Sequence, residues 1–590
     1  MNEKSENRIH STNSVSSICQ NCKIGFKIEP DDFSFYEKMQ VPPPTFCPHC
    51  RLVRRLRMRN ERVLFKVQCG LCKKGVITMY NPANNFTIYC NSCYLSDRWD
   101  PLECGRSYDF SKPFFVQFAE LMKAVPRKAM HSVGGGKNTE YANYLVNASE
   151  VLLSYSVVES ERIYHSRVVD TSKECVDCTN VKDCESCYGV IQGTKNYGSV
   201  YLVDSRNCID SRFLFDCVNC SNCFMSANLR NKQYVFHGKQ LTKEEYKKAL
   251  LEIHTGSYKT EQKLLLEFKE MIKNSIHRFA RIFKSENCTG DYIENSRNVI
   301  DSFEVFKAEN VKYCLRLTDG PADMYDVTGS GKCELLYEAS GASWGSKNSA
   351  FFSAGNLTVD SQYCDYSMDV TSVFGSISVN HAKYVILNKQ YTKEEYFELL
   401  PKIKKHMDEM PYVDEMGIKY TYGEFFPQIC IPHAYNEAFA QEYFPLTKEE
   451  AEKMGYLWRD HEIKKYEPTF TKDTLPDSIS DVPDSFTEEV IGCAHEGNCQ
   501  HQCTGAFKLH PNELIYLKKW NLPVPRFCPN CRHYERLEYR NKLKFYTRQC
   551  ACNQPGHQHS DKCPNEFQTT YSPDRPEKVY CEQCYQKEVL

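Results

Sequence analysis

The chain has 590 residues, 32 of them cysteine, with 74 Lys and Arg against 76 Asp and Glu for a formal net charge of -2. At about 100–200 residues per domain the length holds several domains, and the balanced charge excludes a global nucleic-acid coat or an acidic tail protein. Hydrophobic residues at 41% and aromatics at 13% exclude disorder over most of the length.

Residues 1–18 are polar and rich in Ser and Asn, and read as a disordered tail with no signal or transit peptide. The longest apolar runs, such as Val151-Leu152-Leu153, fall far short of the ~18–20 residues that span a bilayer. No membrane contact is expected, and the location is expected to be cytoplasmic. Thiols stay reduced there, so a high cysteine count points to metal before disulfides.

Residues 19–104 carry four Cys-x2-Cys pairs: Cys19/Cys22, Cys47/Cys50, Cys69/Cys72 and Cys90/Cys93. Each pair can place two thiolates on one ion from a tight turn, and two pairs close a tetrahedral site, so this module is expected to hold two structural zinc ions. Just past the second pair lie Arg51, Arg54, Arg55, Arg57, Arg59, Arg62 and Lys66, seven cations in sixteen residues with Glu61 as the single acid. Guanidinium groups along one helix face match phosphates, which makes this stripe the nucleic-acid candidate.

Residues 105–145 read as a helical connector. Gly134-Gly135-Gly136-Lys137 lacks the spaced first Gly and the Ser/Thr of a phosphate loop, and is expected to be a turn. From 146 to 240, polar–apolar pairs recur as Glu150-Val151, Arg162-Ile163, Glu174-Cys175, Asp183-Cys184, Asn196-Tyr197, Asn207-Cys208 and Asn219-Cys220, a mean step near twelve. Short β-prone units at fixed period predict a β-solenoid with small side chains and thiols inside. A metal cluster at Cys175, Cys178, Cys184 and Cys187, or at Cys217, Cys220 and Cys223, is the sharper alternative. Residues 241–284 form a helical segment that opens on a Thr242/Glu245 capping box and carries an apolar stripe from Leu264 through Phe268 and Ile276 to Phe283.

A second solenoid segment spans 285–390, starting Asn287-Cys288, Asn298-Val299 and Asn310-Val311 and running less regularly through Cys333 and Cys364. The motif around Lys239-Gln240 and Thr242-Lys243-Glu244-Glu245 recurs around Lys389-Gln390 and Thr392-Lys393-Glu394-Glu395, so the body reads as duplicated. Asp365 and Asp369 are expected to be solvated turn acids. Residues 391–484 form a helical and irregular connector with a third capping box at Thr447/Glu450.

Residues 485–590 repeat the first module. Twenty-four residues separate Cys22 from Cys47 and Cys503 from Cys528; eighteen separate Cys50 from Cys69 and Cys531 from Cys550; seventeen separate Cys72 from Cys90 and Cys563 from Cys581. The expected ligands are Cys499, Cys503, Cys528, Cys531, Cys550, Cys563, Cys581 and Cys584, with Cys552 as the alternative to Cys550. That brings the total to about four structural zinc ions. Cys493, His495 and His501 lie beside this module and read as surface or supporting residues, with a further ion as the alternative.

Cys19-x2-Cys22, Phe26, Phe35-Tyr36, Pro44 and Cys47-Pro48-x-Cys50-Arg51 resemble the zinc-ribbon family of small bacterial treble-clef-like modules, with Lys23 where that family usually has Gly. The whole chain is similar to an uncharacterised cysteine-rich family of candidate-phyla bacteria through Trp99-Asp100-Pro101, the Thr-Lys-Glu-Glu segments and Cys528-Pro529-Asn530-Cys531-Arg532-His533-Tyr534. The resemblance implies zinc and architecture. The expected fold is multidomain and mainly β, a duplicated β-solenoid-like body with capped helices between two double zinc-ribbon modules. No His-Glu-x-x-His and no zinc-deaminase signature is present. The expected function is a non-enzymatic zinc-binding scaffold whose solenoid face takes a protein partner. Binding of structured RNA or DNA through the arginine stripe is the alternative, and an enzyme with a flank site the third reading.

Overall fold

The computed structural model describes residues 14–134, 136–318, 323–330, 335, 337–341, 345–460, 466–557, 559 and 561–590. The chain is mainly β and divides into two compact units, each discontinuous: Met1–Ala129 with Ala280–Arg459, and Met130–Phe279 with Asp460–Leu590. Each cysteine-rich module therefore joins the β segment farther from it in sequence, not the adjacent one. Among the described residues there are twelve α-helices, none long and apolar enough to cross a membrane.

In the second unit, residues 132–240 form one curled sheet of sixteen short strands. Most of these strands pair in parallel with a later one at an offset of twelve residues, as in Val151 with Ile163, Ile163 with Cys175 and Cys175 with Cys187; the first, Ser132–Val133, pairs at thirteen. This sheet thus begins at Ser132, inside the segment read as helical connector, which also holds helix Phe114–Ala124 and the short strand Arg127–Lys128. Gly135 lies outside the described residues, as do residues 1–13, while Val15–Ile18 of the expected tail is a strand.

The polar–apolar pairs have a backbone cause. Glu150, Arg162, Glu174, Asp183, Asn207 and Asn219 all adopt left-handed φ of 52–56°, turning the chain so that the next residue points inward. Val151, Ile163, Cys175, Cys184, Cys208 and Cys220 are buried accordingly. Asn196-Tyr197 breaks the series. Lys195 holds the left-handed position, Asn196 faces inward, and Tyr197 is 49% exposed. Asn196 does the work of an interior hydroxyl, accepting from Cys208 N at 2.9 Å and donating to Ser205 O at 2.9 Å.

Interior serines and cysteines share that role. Ser154 Oγ accepts from Ser166 N at 3.0 Å, and Ser166 Oγ from Cys178 N at 2.9 Å. Cys178 Sγ in turn donates to Val176 O at 3.4 Å. A thiol is small, apolar enough for the stack beside valine, and still a weak donor to a buried carbonyl.

The first unit carries the same parallel pairing. Arg297 pairs with Glu309 and Met368 with Asn380 at twelve residues, while Val311 pairs with Met324 at thirteen. Val299, Val305, Val311, Leu317, Val370 and Val385 fill its interior; Cys333 lies outside the described residues. Each run closes on a short antiparallel pair, Val235–Phe236 with Lys239–Gln240 and Val385–Ile386 with Lys389–Gln390. Reciprocal capping boxes at Thr242/Glu245, Thr392/Glu395 and Thr447/Glu450 then start helices Lys243–Leu251, Lys393–Glu409 and Lys448–Lys453.

The apolar stripe near residue 270 belongs to two elements. Leu264 and Phe268 on helix Tyr258–Asn274 pack against Ile191, Val203, Phe213 and Phe224. The helix ends at Asn274, and Ile276–Arg278 is instead a strand paired in parallel with Lys578–Tyr580. Phe283 lies on a further short strand, Ile282–Phe283.

Candidate metal centres

Each cysteine quartet is built from a hairpin and a helix start. Strands Val15–Ile18 and Gly25–Ile28 pair antiparallel, and Cys19 and Cys22 sit in the turn between them. Lys23 occupies the left-handed region there at φ 60°, and Lys73 does so at φ 62° after Cys72. Each lysine returns its ammonium to a carbonyl of its own turn, Gln20 O at 2.6 Å and Gly70 O at 2.7 Å. Those contacts explain how a lysine holds a position that suits glycine. Cys47, Cys90, Cys528 and Cys581 are the N-cap residues of helices Pro48–Arg57, Asn91–Tyr94, Pro529–Leu537 and Glu582–Val589, so the second cysteine of each pair lies in the first turn.

Four groups result: Cys19, Cys22, Cys47 and Cys50; Cys69, Cys72, Cys90 and Cys93; Cys493, Cys503, Cys528 and Cys531; and Cys550, Cys563, Cys581 and Cys584. Within each group all sulfurs lie within 4.8 Å of one another. Sulfur separations of 3.8 Å (Cys22–Cys47), 3.9 Å (Cys72–Cys90), 4.0 Å (Cys503–Cys528) and 3.9 Å (Cys563–Cys581) are those of a tetrahedron. Metal–sulfur bonds of about 2.3 Å give an edge of about 3.8 Å. The four groups can hold metal ions. Backbone N–H groups point at the sulfurs, Cys90 N to Cys69 Sγ at 3.3 Å and Cys581 N to Cys550 Sγ at 3.2 Å. Burial opposes ionisation of Cys69, but backbone donors outweigh it and lower the thiol to about 6.

One expected ligand is displaced. Cys493, not Cys499, completes the quartet with Cys503, because it follows strand Ile491–Gly492, which pairs with Ala506–Phe507 as Val15–Ile18 pairs with Gly25–Ile28. Cys499 gathers with His495, His501 and Cys531 instead. The cue was the apolar Val490-Ile491 before Cys493, matching the strand before Cys19. Cys550 takes its place in the last quartet, and Cys552 lies beside His557 at 3.2 Å.

The arginine stripe turns inward. Arg51, Arg54, Arg55, Arg57 and Arg59 are buried, Arg62 is partly buried against Glu442, and Lys66 alone of the seven is exposed. Arg51 Nε and Arg55 Nη1 bind the two oxygens of Asp326, each at 2.8 Å. Arg54 pairs with Glu338 and, at 2.9 Å, with Glu424. Arg57 stacks on Tyr456 with its guanidinium carbon 3.9 Å from the ring centre, and Arg59 meets Glu61 at 2.6 Å. These guanidinium groups meet partners within their own unit rather than facing solvent.

The other unit repeats the arrangement. Arg532 Nη1 and Arg536 Nη1 bind the two oxygens of Asp177 at 2.7 and 2.6 Å. Arg55 Nε also faces Thr328 Oγ1 at 3.2 Å, and Arg536 Nε faces Thr179 Oγ1 at 3.4 Å. The acceptors share the sequence Asp-x-Thr, Asp326-Val327-Thr328 and Asp177-Cys178-Thr179. Arg532 and His165 also grip Glu513, whose carboxyl they hold at about 2 although burial pushes it up. Asp365, expected as a solvated acid, is buried against Arg127, whereas Asp369 is exposed beside His381.

The second unit also holds a cavity of about 190 Å³ lined by Tyr188, Tyr201, Tyr258, Glu261, Arg526 and Glu535, among others. Burial raises Glu261 and Glu535 to about 7 each. Tyr201 donates to Glu261 at 2.6 Å. Arg526 is buried, lies over the Tyr258 ring at 4.5 Å, donates through Nη2 to Leu475 O and Pro476 O, and keeps Nε and Nη1 without a hydrogen-bond partner among the described residues.

No protein-family model matches the chain, and no curated protein matches it.

Proposed function

We propose that the protein is a non-enzymatic scaffold in which zinc-bound modules clamp two β-solenoids of twelve-residue coils, leaving an outer solenoid face for a protein partner. The observation that carries it is the inward use of module charge, Arg51 and Arg55 on Asp326 in one unit and Arg532 and Arg536 on Asp177 in the other. Four thiolates per site favour zinc in a closed structural role, with no position left for a substrate. The matched arginine pairs and cysteine spacings support a duplicated ancestry of the halves. On the outer face Tyr197 and Ile209 sit side by side in register, 49% and 42% exposed. Side chains of that kind anchor protein interfaces.

The test is affinity capture with the full chain against a Tyr197→Lys/Ile209→Glu variant of unchanged melting temperature. A protein retained by the wild type and released by the variant supports the reading. Retention of the wild type on an RNA column that falls steeply with salt overturns it in favour of nucleic acid.

A second reading rests on the unpartnered Arg526 donors beside the aromatic cavity: a small aromatic anion bound in the second unit. A thermal shift with aromatic carboxylates that is lost in Arg526→Leu would favour it.

A further inference from the structure

The two C-terminal quartets differ from the N-terminal ones by insertions, and both insertions carry the same donor set. Between Cys493 and Cys503 lie His495, Cys499 and His501; between Cys550 and Cys563 lie Cys552, His557 and His559. One thiol and two imidazoles have been added beside each site.

The structure brings both sets onto a quartet. His495, Cys499, His501 and Cys531 have donor atoms all within 4.8 Å of one another, and Cys531 belongs to the neighbouring quartet as well. Cys531 Sγ lies 3.8 Å from Cys493 Sγ on one side and 3.7 Å from Cys499 Sγ on the other. His495 Nδ1 and His501 Nδ1 are buried without a hydrogen-bond partner among the described residues. Buried polar nitrogens in that condition call for a partner, and a metal ion is one that both can share.

At the second quartet, Cys552 Sγ is 3.2 Å from His557 Nδ1, and His559 Nε2 is 3.5 Å from Cys584 Sγ. The far nitrogens of both rings are held as in metal-bound histidines, His557 Nε2 by Glu588 at 3.2 Å and His559 Nδ1 by Asp561 O at 2.6 Å. Cys531 and Cys584 occupy equivalent places, each the second cysteine of the pair that opens a helix.

We propose that each C-terminal quartet is one half of a dinuclear centre, with Cys531 and Cys584 as the bridging thiolates. The second ion of the first pair takes His495, Cys499, His501 and Cys531; that of the second takes Cys552, His557, His559 and Cys584. This rests on the zinc reading above and extends it. A quartet of thiolates on one divalent ion is doubly negative. Adding a divalent ion, one thiolate and two neutral imidazoles leaves a single negative charge, which lowers the cost of burying the centre. The chain then carries six zinc ions: two single ones in the N-terminal module and two pairs in the C-terminal module.

Native mass spectrometry of the full-length zinc protein tests the count. Six ions are expected for the wild type, five for His495→Ala/His501→Ala, five for His557→Ala/His559→Ala, and four for the combined variant with its circular dichroism unchanged. A wild-type count of four or five, or six ions that survive the combined substitution, overturns the proposal. A chain that binds no zinc instead defeats the underlying reading. Should the variants unfold, cadmium-113 substitution of the wild type decides: scalar coupling between two cadmium resonances is expected for each bridged pair, and its absence overturns the bridge.

Discussion

Arg55 and Asp326 meet at 2.8 Å with both side chains fully buried, 271 residues apart in the chain. The same carboxylate takes Arg51 on its other oxygen, so one aspartate bridges arginines on two successive turns of one helix. Its counterpart, Asp177, does the same for Arg532 and Arg536.

Removing one partner of such a buried pair strands the other's charge, at about 3–5 kcal/mol. Asp326→Ala is therefore expected to destabilise the first unit by that order and Asp177→Ala the second, read as separate transitions in urea denaturation. Arg62→Ala, against Glu442 at 3.6 Å, is expected to cost less.

Metal removal is expected to open the modules, since ion binding supplies folding free energy that small cysteine-rich units lack. Treating the protein with a strong chelator is expected to expose residues 14–104 and 491–590 to limited proteolysis, while the parallel sheets resist longer. Equal cleavage rates with and without chelator would count against this.

Burial raises Glu261 and Glu535 from an ordinary 4.5 to about 7. The folded state then holds protons that the unfolded chain has released between about pH 4.5 and 7, so stability falls as pH rises through that window. Glu261→Gln is expected to flatten this slope and to raise the melting temperature at pH 8 relative to wild type. Glu513, held at about 2, acts in the opposite sense: its contribution is present above about 4.5 and is lost as pH falls toward 2.

Interior cysteine and serine are close to interchangeable where the register alternates them. Cys184 N bonds to Ser172 Oγ at 3.0 Å, twelve residues back. Cys184→Ser is expected to stay within about 1 kcal/mol of wild type, whereas Cys184→Leu is expected to lose about 1–3 kcal/mol by overfilling the interior. Both are measurable by thermal melting.

The twelve-residue period was legible because a left-handed residue precedes each inward one, and Glu, Asp and Asn in those places leave a polar–apolar mark. It failed at Asn196-Tyr197, where an inward asparagine mimics the outward polar residue and shifts the reading by one. Two quartets were legible from spacing alone, and the last one with Cys550 or Cys552 left open. Cys493 was not, since nine residues separate it from Cys503 where two separate Cys19 from Cys22. The burial of the arginine stripe was not legible because a sequence displays charge without the acids that meet it. Asp326, Glu338 and Glu424 lie hundreds of residues away, and only the fold brings them to Pro48–Arg57.

The interleaving of the two units fixes a timetable for synthesis. The N-terminal module leaves the ribosome with its arginines bare, and the carboxylates that neutralise them emerge some 270 to 370 residues later. The strands from Ser132 onward wait longer still, because Arg532 and Arg536 are translated after everything those strands can pair with among themselves. Neither unit can close in the order in which it is made. The nascent chain thus passes through a long interval as an open and unclamped intermediate, which is when a holding chaperone has most to protect.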